Sequence, residues 1–112
     1  MSATSKRLEF LRKHTADGAP GSTDPFAWYG LAMEYRSLER NDEALATFET
    51  LRARDPDYVA MYLMCGQMLE KMGRLAAARA WFSSGIEAAR KKGDEHAASE
   101  LEGALGALGA VG

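Results

Sequence analysis

The sequence predicts an all-α fold, a short helical-repeat solenoid built from antiparallel helix pairs. Three observations lead there. Val59, Ile86 and Val111 are the only β-branched aliphatic residues, and nothing alternates with a period of two, so strands are not expected. Apolar residues recur instead at helical spacing: Trp28, Leu31, Ala32 and Tyr35 share one face, and Ala44, Phe48 and Leu51 share another. These faces then recur. Moved by 34 residues, Trp28 falls on Tyr62, Leu31 on Cys65, Ala32 on Gly66, Tyr35 on Leu69, Ala44 on Ala78 and Phe48 on Phe82. Bulky aromatic positions stay bulky and the small position stays small, which is the mark of stacked helical repeats.

Each element follows from local signals. The stretch SKRLEFLRKH, Ser5 to His14, has a narrow apolar face of Leu8 and Leu11 with Phe10 beside it, and predicts a short, loosely docked helix. Thr15 to Thr23, TADGAPGST, reads as a linker. Asp24-Pro25 is an N-cap followed by proline in the first turn. Asn41 reads as the next N-cap, with Asp42 and Glu43 where the helix dipole favours acids. Pro56 ends that helix and Asp57 is read as the cap of another. Gly73 closes the third repeat helix with a residue suited to left-handed backbone, and Gly93-Asp94 repeats the stop and cap.

The last segment, DEHAASELEGALGAL from Asp94 to Leu108, carries an apolar stripe of Ala97, Leu101, Leu105 and Leu108, with Glu95, His96, Glu100 and Glu102 directed elsewhere. It reads as a capping helix, placed like the first helix of a third copy. Gly103, Gly106 and Gly109 each weaken it by about 1 kcal/mol relative to alanine. The expected organisation is an arm over 1–23 and a repeat domain over 24–109, with copies near 24–57 and 58–92 and a cap near 94–108.

The pattern resembles the tetratricopeptide repeat family, whose signature is Trp-x2-Leu-Gly-x2-Tyr, then Ala-x3-Phe, then Pro. The first copy supplies Trp28, Leu31, Ala32, Tyr35, Ala44, Phe48 and Pro56, with alanine for the usual glycine. The second supplies Tyr62, Cys65, Gly66, Leu69, Ala78 and Phe82, with Arg90 where proline would stand, so its second helix is expected to run on toward Lys92. The resemblance implies a right-handed superhelix in which Ala32 or Gly66, and Ala44 or Ala78, leave room that the aromatic rings fill.

Composition excludes several functions. A net charge of −2 and a pI near 5.7 give no field to draw nucleic acid or an anionic membrane. No segment reads as a signal peptide or a bilayer span, and the expected location is cytoplasmic. The single cysteine, Cys65, allows no internal disulfide and lies on a core position. The only candidate metal-ligand partner read for His14 is Asp17, in the linker, and Lys92 and Gly93 precede His96, so no metal or cofactor is expected. Arg52 and Arg54, and the run Arg90-Lys91-Lys92, sit at helix C-termini where cations suit the dipole. No phosphate-binding glycine loop or nucleophile elbow occurs, and an enzyme is not expected.

One surface is left over. The resemblance implies that the first helices of successive repeats line a concave groove that binds a peptide or a partner helix. The candidate groove residues are Phe26, Tyr29, Met33 and Arg36 on the first repeat, Leu63, Met64, Gln67 and Lys71 on the second, and Leu101 of the cap with Ala97 and Ala98. The lining is apolar and methionine-bearing, suited to an amphipathic helix or an extended apolar segment rather than to an acidic C-terminal carboxylate. The expected role is a non-enzymatic interaction module or adaptor for a protein partner. The alternative is a self-associating homodimer whose groove holds its own N-terminal arm or a second copy.

Overall fold

The computed structural model describes residues 3–111. Among them are six α-helices and no strand: α1 (Lys6–Thr15), α2 (Pro25–Ser37), α3 (Asn41–Arg54), α4 (Ala60–Lys71), α5 (Leu75–Lys91) and α6 (Glu95–Val111). They form two compact units, Met1–Asp55 and Pro56–Gly112. Within each unit, helices adjacent in sequence pack together: α1 on α2 and α2 on α3 in the first, α4 on α5 and α5 on α6 in the second.

The first unit starts from its caps. The Ser5 hydroxyl accepts the Leu8 amide at 3.0 Å and donates to Glu34 Oε2 at 2.7 Å, so one side chain both begins α1 and ties it to α2. Leu8 and Leu11 are buried beneath it. Asp24 accepts the Phe26 amide at 3.0 Å, and Pro25 opens α2, as the sequence predicts. The segment read as a linker is tied down. Thr15 is the last residue of α1 and donates its hydroxyl to the Leu11 carbonyl at 2.8 Å; the Gly21 amide reaches back to the His14 carbonyl at 2.9 Å. A Cβ on Gly21 would run into the His14 ring, so glycine is required for the loop to close over the histidine.

The second unit is a three-helix arrangement around α5. A Cβ on Gly66 would overlap the Phe82 ring, and one on Gly85 would overlap Tyr62 and crowd Leu101. These two glycines set how closely α4 meets α5 and how closely both α4 and α6 approach its far half. Phe48 and Phe82, one in each unit, are both 0% exposed.

Two local readings are corrected. Asn41 is the first residue of α3 and not its cap; Arg40 takes the cap position without a side-chain bond, because the chain enters α3 from a tight left-handed turn. In that turn Glu39 has φ 57, and the Arg40 amide bonds the Tyr35 carbonyl at 2.9 Å. Asp57 does not cap α4, which starts three residues later behind Val59; it pairs instead with Lys91 at 3.2 Å. The connection into α6 is a glycine turn, as the sequence reads at Gly93. Gly73 (φ 79) and Gly93 (φ 72) make the same turn as Glu39, with the Arg74 amide on the Leu69 carbonyl at 2.9 Å and the Asp94 amide on the Ala89 carbonyl at 2.8 Å. Without a proline at Arg90, α5 runs on to Lys91, and α6 folds back on it as α3 does on α2. The cap expected at Asp94 is present: its side chain accepts the Ala97 amide at 3.0 Å.

Candidate functional site

Successive residues advance about 100° around a helix, so α2 can be divided into three faces. Leu31, Ala32 and Tyr35 are buried on the repeat core. Trp28 extends that face, its indole N–H donating to the Ser22 carbonyl at 2.8 Å while the Arg54 guanidinium lies 4.5 Å from its ring centroid. The second face belongs to α1. Gly30 faces Leu11, and Glu34 holds Ser5 and, at 3.4 Å, Arg7. The third face carries Phe26, Tyr29, Met33 and Arg36. Phe26 is 68% exposed, and the other three are half-buried. Burial raises the Tyr29 phenol above its ordinary value, opposed by the positive charge of Arg36. Its hydroxyl is therefore a neutral donor across the physiological range.

On α4 the repeat register redistributes the candidates. Leu63 and Gln67 stand where Tyr29 and Met33 stand on α2, and both are half-buried. Met64 takes the position of Gly30, at the flank of a stripe whose other members, Met61 and Met68, are buried. Lys71 is exposed but occupies the position of Ser37; Glu70 stands where Arg36 does, so the charge of that site is reversed. Leu101 is withdrawn from the surface. It is 1% exposed and packs toward Gly85 of α5, because α6 turns its Ala98–Leu101–Leu108 stripe inward. Ala98 is withdrawn with it, at 2%.

Leu31, Ala32, Tyr35, Ala44, Phe48, Tyr62, Cys65, Gly66, Leu69, Ala78 and Phe82 are all buried. Pro56 is exposed and contributes its carbonyl, which accepts the Tyr62 hydroxyl at 2.5 Å. This bond repeats the one from Trp28 to Ser22, each spanning six residues and lying 34 apart. Sequence reading missed Gly30, whose only warning is a glycine inside a helix with no turn to explain it. No group of three or more metal-capable side chains occurs among the described residues, nor any helix long and apolar enough to cross a membrane.

The helix pairs agree with the comparisons. Residues 29–94 match the tetratricopeptide repeat family. A solution structure of a tetratricopeptide repeat domain protein from Salinibacter ruber is 39% identical, covering 76% of this chain and 86% of its own, with a TM-score of 0.73. A crystal structure of a tetratricopeptide repeat domain protein from the same organism is 37% identical over 80% of this chain and 99% of its own, with a TM-score of 0.74. A solution structure of a protein from Bordetella parapertussis is 28% identical over 97% and 90%, with a TM-score of 0.75. No curated protein sequence matches. The chain belongs to the tetratricopeptide repeat family, whose domains are in general non-catalytic and mediate protein–protein interactions.

Proposed function

We propose that this chain is a non-enzymatic adaptor that holds a peptide or helix of a partner protein on the third face of α2. One observation carries the reading. α2 gives two faces to α1 and α3, yet its third face is apolar along Phe26, Tyr29 and Met33 and turns polar only at Arg36. A helix with no solvating face is suited to a third neighbour. In the second unit Leu63 and Gln67 occupy the equivalent face of α4, with Met64 beside them at the position of Gly30 and Lys71 at that of Ser37. The arm supports this reading by taking a different face, the one with Gly30 and Glu34. The buried thiol of Cys65 and the lack of any second cysteine suit a reducing cytoplasm.

The test is a pull-down from the native host with wild type beside Tyr29→Glu combined with Met33→Glu. Both positions are half-buried, so the charges should remove partner capture and leave the far-UV spectrum intact. Capture that survives the double substitution refutes the proposal. Self-association through the same face is the rival, favoured by the same apolar strip. Light scattering after size exclusion decides it, because a concentration-independent monomer excludes the homodimer.

A further inference from the structure

Each unit leaves one helix half-used. α6 stands as the first helix of a further copy: it folds back on α5 and buries Ala98, which falls 34 residues past Met64 and 68 past Gly30. In both complete copies the first helix gives a second face to its partner helix. Leu31, Ala32 and Tyr35 on α2, and Cys65, Gly66 and Leu69 on α4, are buried, and Gly66 lies so close to α5 that a Cβ would overlap the Phe82 ring. The positions 34 residues past those of α4 are Ser99, Glu100 and Gly103 on α6, and all three are exposed. A Cβ on Gly103 would meet nothing within 4 Å. The chain's own packing thus gives no reason for a residue that weakens a helix interior relative to alanine.

α1 is the complementary case. It packs on α2 along Gly30, the side of a first helix that α6 turns to α5, so it stands where the second helix of a preceding copy would stand. Its buried side is Leu8, Leu11 and Thr15. The opposite side carries Phe10, 62% exposed, between Lys6 and Lys13, with its ring stacked on His14 at 5.3 Å between centroids. The two helices also carry opposite charge. α1 has Lys6, Arg7, Arg12 and Lys13 against Glu9, whereas α6 has Glu95, Glu100 and Glu102 with no lysine or arginine. Lys6, Lys13 and Glu95 form no ion pair among the described residues, and Glu100 meets the exposed His96 at 3.2 Å.

We infer that α6 of one copy and α1 of a second copy pair head to tail and complete a repeat between them. Phe10 lies over Gly103 as Phe82 lies over Gly66. The two helices run antiparallel, as in the helix pairs of each copy, so Lys13, one turn beyond Phe10, meets Glu100, one turn before Gly103. The interface joins two different surfaces, so the assembly grows as a chain or closes as a ring. It leaves the Phe26–Tyr29–Met33 face untouched, and either surface can fail without the other.

The test is light scattering after size exclusion on the full chain, run over a concentration series at low and high salt. The mass should rise with concentration above the 12.2 kDa of one copy, and less so at high salt. Phe10→Ser removes the ring from α1, and Gly103→Lys puts a bulky cation on α6. Both positions are exposed and lysine is a better helix former than glycine, so both chains should keep their helicity in far-UV circular dichroism. Each variant alone should run as a monomer where the wild type assembles. Mixed in equal amounts they should form a dimer, because one supplies an intact α6 and the other an intact α1. The inference is overturned by any of four results: a wild type that is monomeric at every concentration, a mass that salt does not change, assembly that survives either substitution, or a mixture that stays monomeric. Tyr29→Glu combined with Met33→Glu should leave the assembly intact. Its loss in that chain would overturn the inference in favour of pairing through the third face of α2.

Discussion

The two repeats solve one packing problem with different distributions of bulk. In the first unit the large ring sits on α2, as Trp28, and the facing helix carries the small, buried Thr47, whose hydroxyl bonds the Glu43 carbonyl at 2.8 Å. In the second unit the smaller Tyr62 sits on α4, and Trp81 takes the position of Thr47, with ring centroids 5.8 Å apart. Gly66 faces Phe82 so closely that no Cβ fits, whereas the first unit accommodates Ala32 in the matching place with 0% exposure. Bulk moved from one helix to the other is compensated by backbone approach. A repeat is therefore conserved in this chain as a total of filled volume rather than as a list of side chains.

The comparison can be broken at its shared point. Phe48→Ala and Phe82→Ala should each cost about 4 kcal/mol, since both rings are fully buried. Urea unfolding followed by circular dichroism measures this, and a large inequality would mean the units do not rest equally on the phenylalanine. A sharper distinction comes from Gly66→Ala, which should cost about 2 kcal/mol through overlap with Phe82. In a Phe82→Leu background the penalty should shrink, and a double-mutant cycle showing no coupling would remove the close-approach argument.

Tyr62→Phe loses the bond to the Pro56 carbonyl and should cost about 1 kcal/mol in thermal or urea unfolding. The turns separate the units by less. Gly73→Ala should cost about 1 kcal/mol, because φ 79 is strained for any side chain. Glu39→Gly should gain a few tenths to about 1 kcal/mol, as relief at φ 57 is offset by a more flexible unfolded chain.

The smallest effect is electrostatic. The hydrogen bond from Arg40, at 2.6 Å, holds the Glu43 carboxyl below its ordinary value. A lowered folded-state value makes its contribution present above the unfolded carboxylate range and lost as pH falls through the folded one. Arg40→Ala should return Glu43 toward the ordinary range in a carboxyl-detected titration, and Glu43→Gln, which keeps the mostly covered Arg40 over the Tyr35 ring, should change stability little.

What the sequence made legible was whatever depends on periodicity and on side-chain size. The 34-residue register identified the paired core positions, and proline, glycine and aspartate marked the turns at Asp24, Gly73 and Gly93. What it could not show was which of two sequence-equivalent residues a turn would use. Asn41 and Asp57 are good capping types, yet a left-handed residue at Glu39 and a late start at Ala60 leave neither at a cap. Leu101 misled because a helix stripe shows which residues group together and not which neighbour they meet. The face of α2 given to α1 was hidden for the same reason, since Gly30 carries no side chain to signal a contact.

The near-neighbour pairing of the helices has a consequence in time. Within each unit every helix packs on the one before or after it in the chain, so the loops that close during folding are short. Folding should be fast, on the order of microseconds to milliseconds. The sequence also places one indole in each unit, Trp28 in the first and Trp81 in the second. Replacing either with phenylalanine leaves a chain whose fluorescence follows the other unit alone. Stopped-flow traces from the two variants thus clock the halves separately, without any added dye.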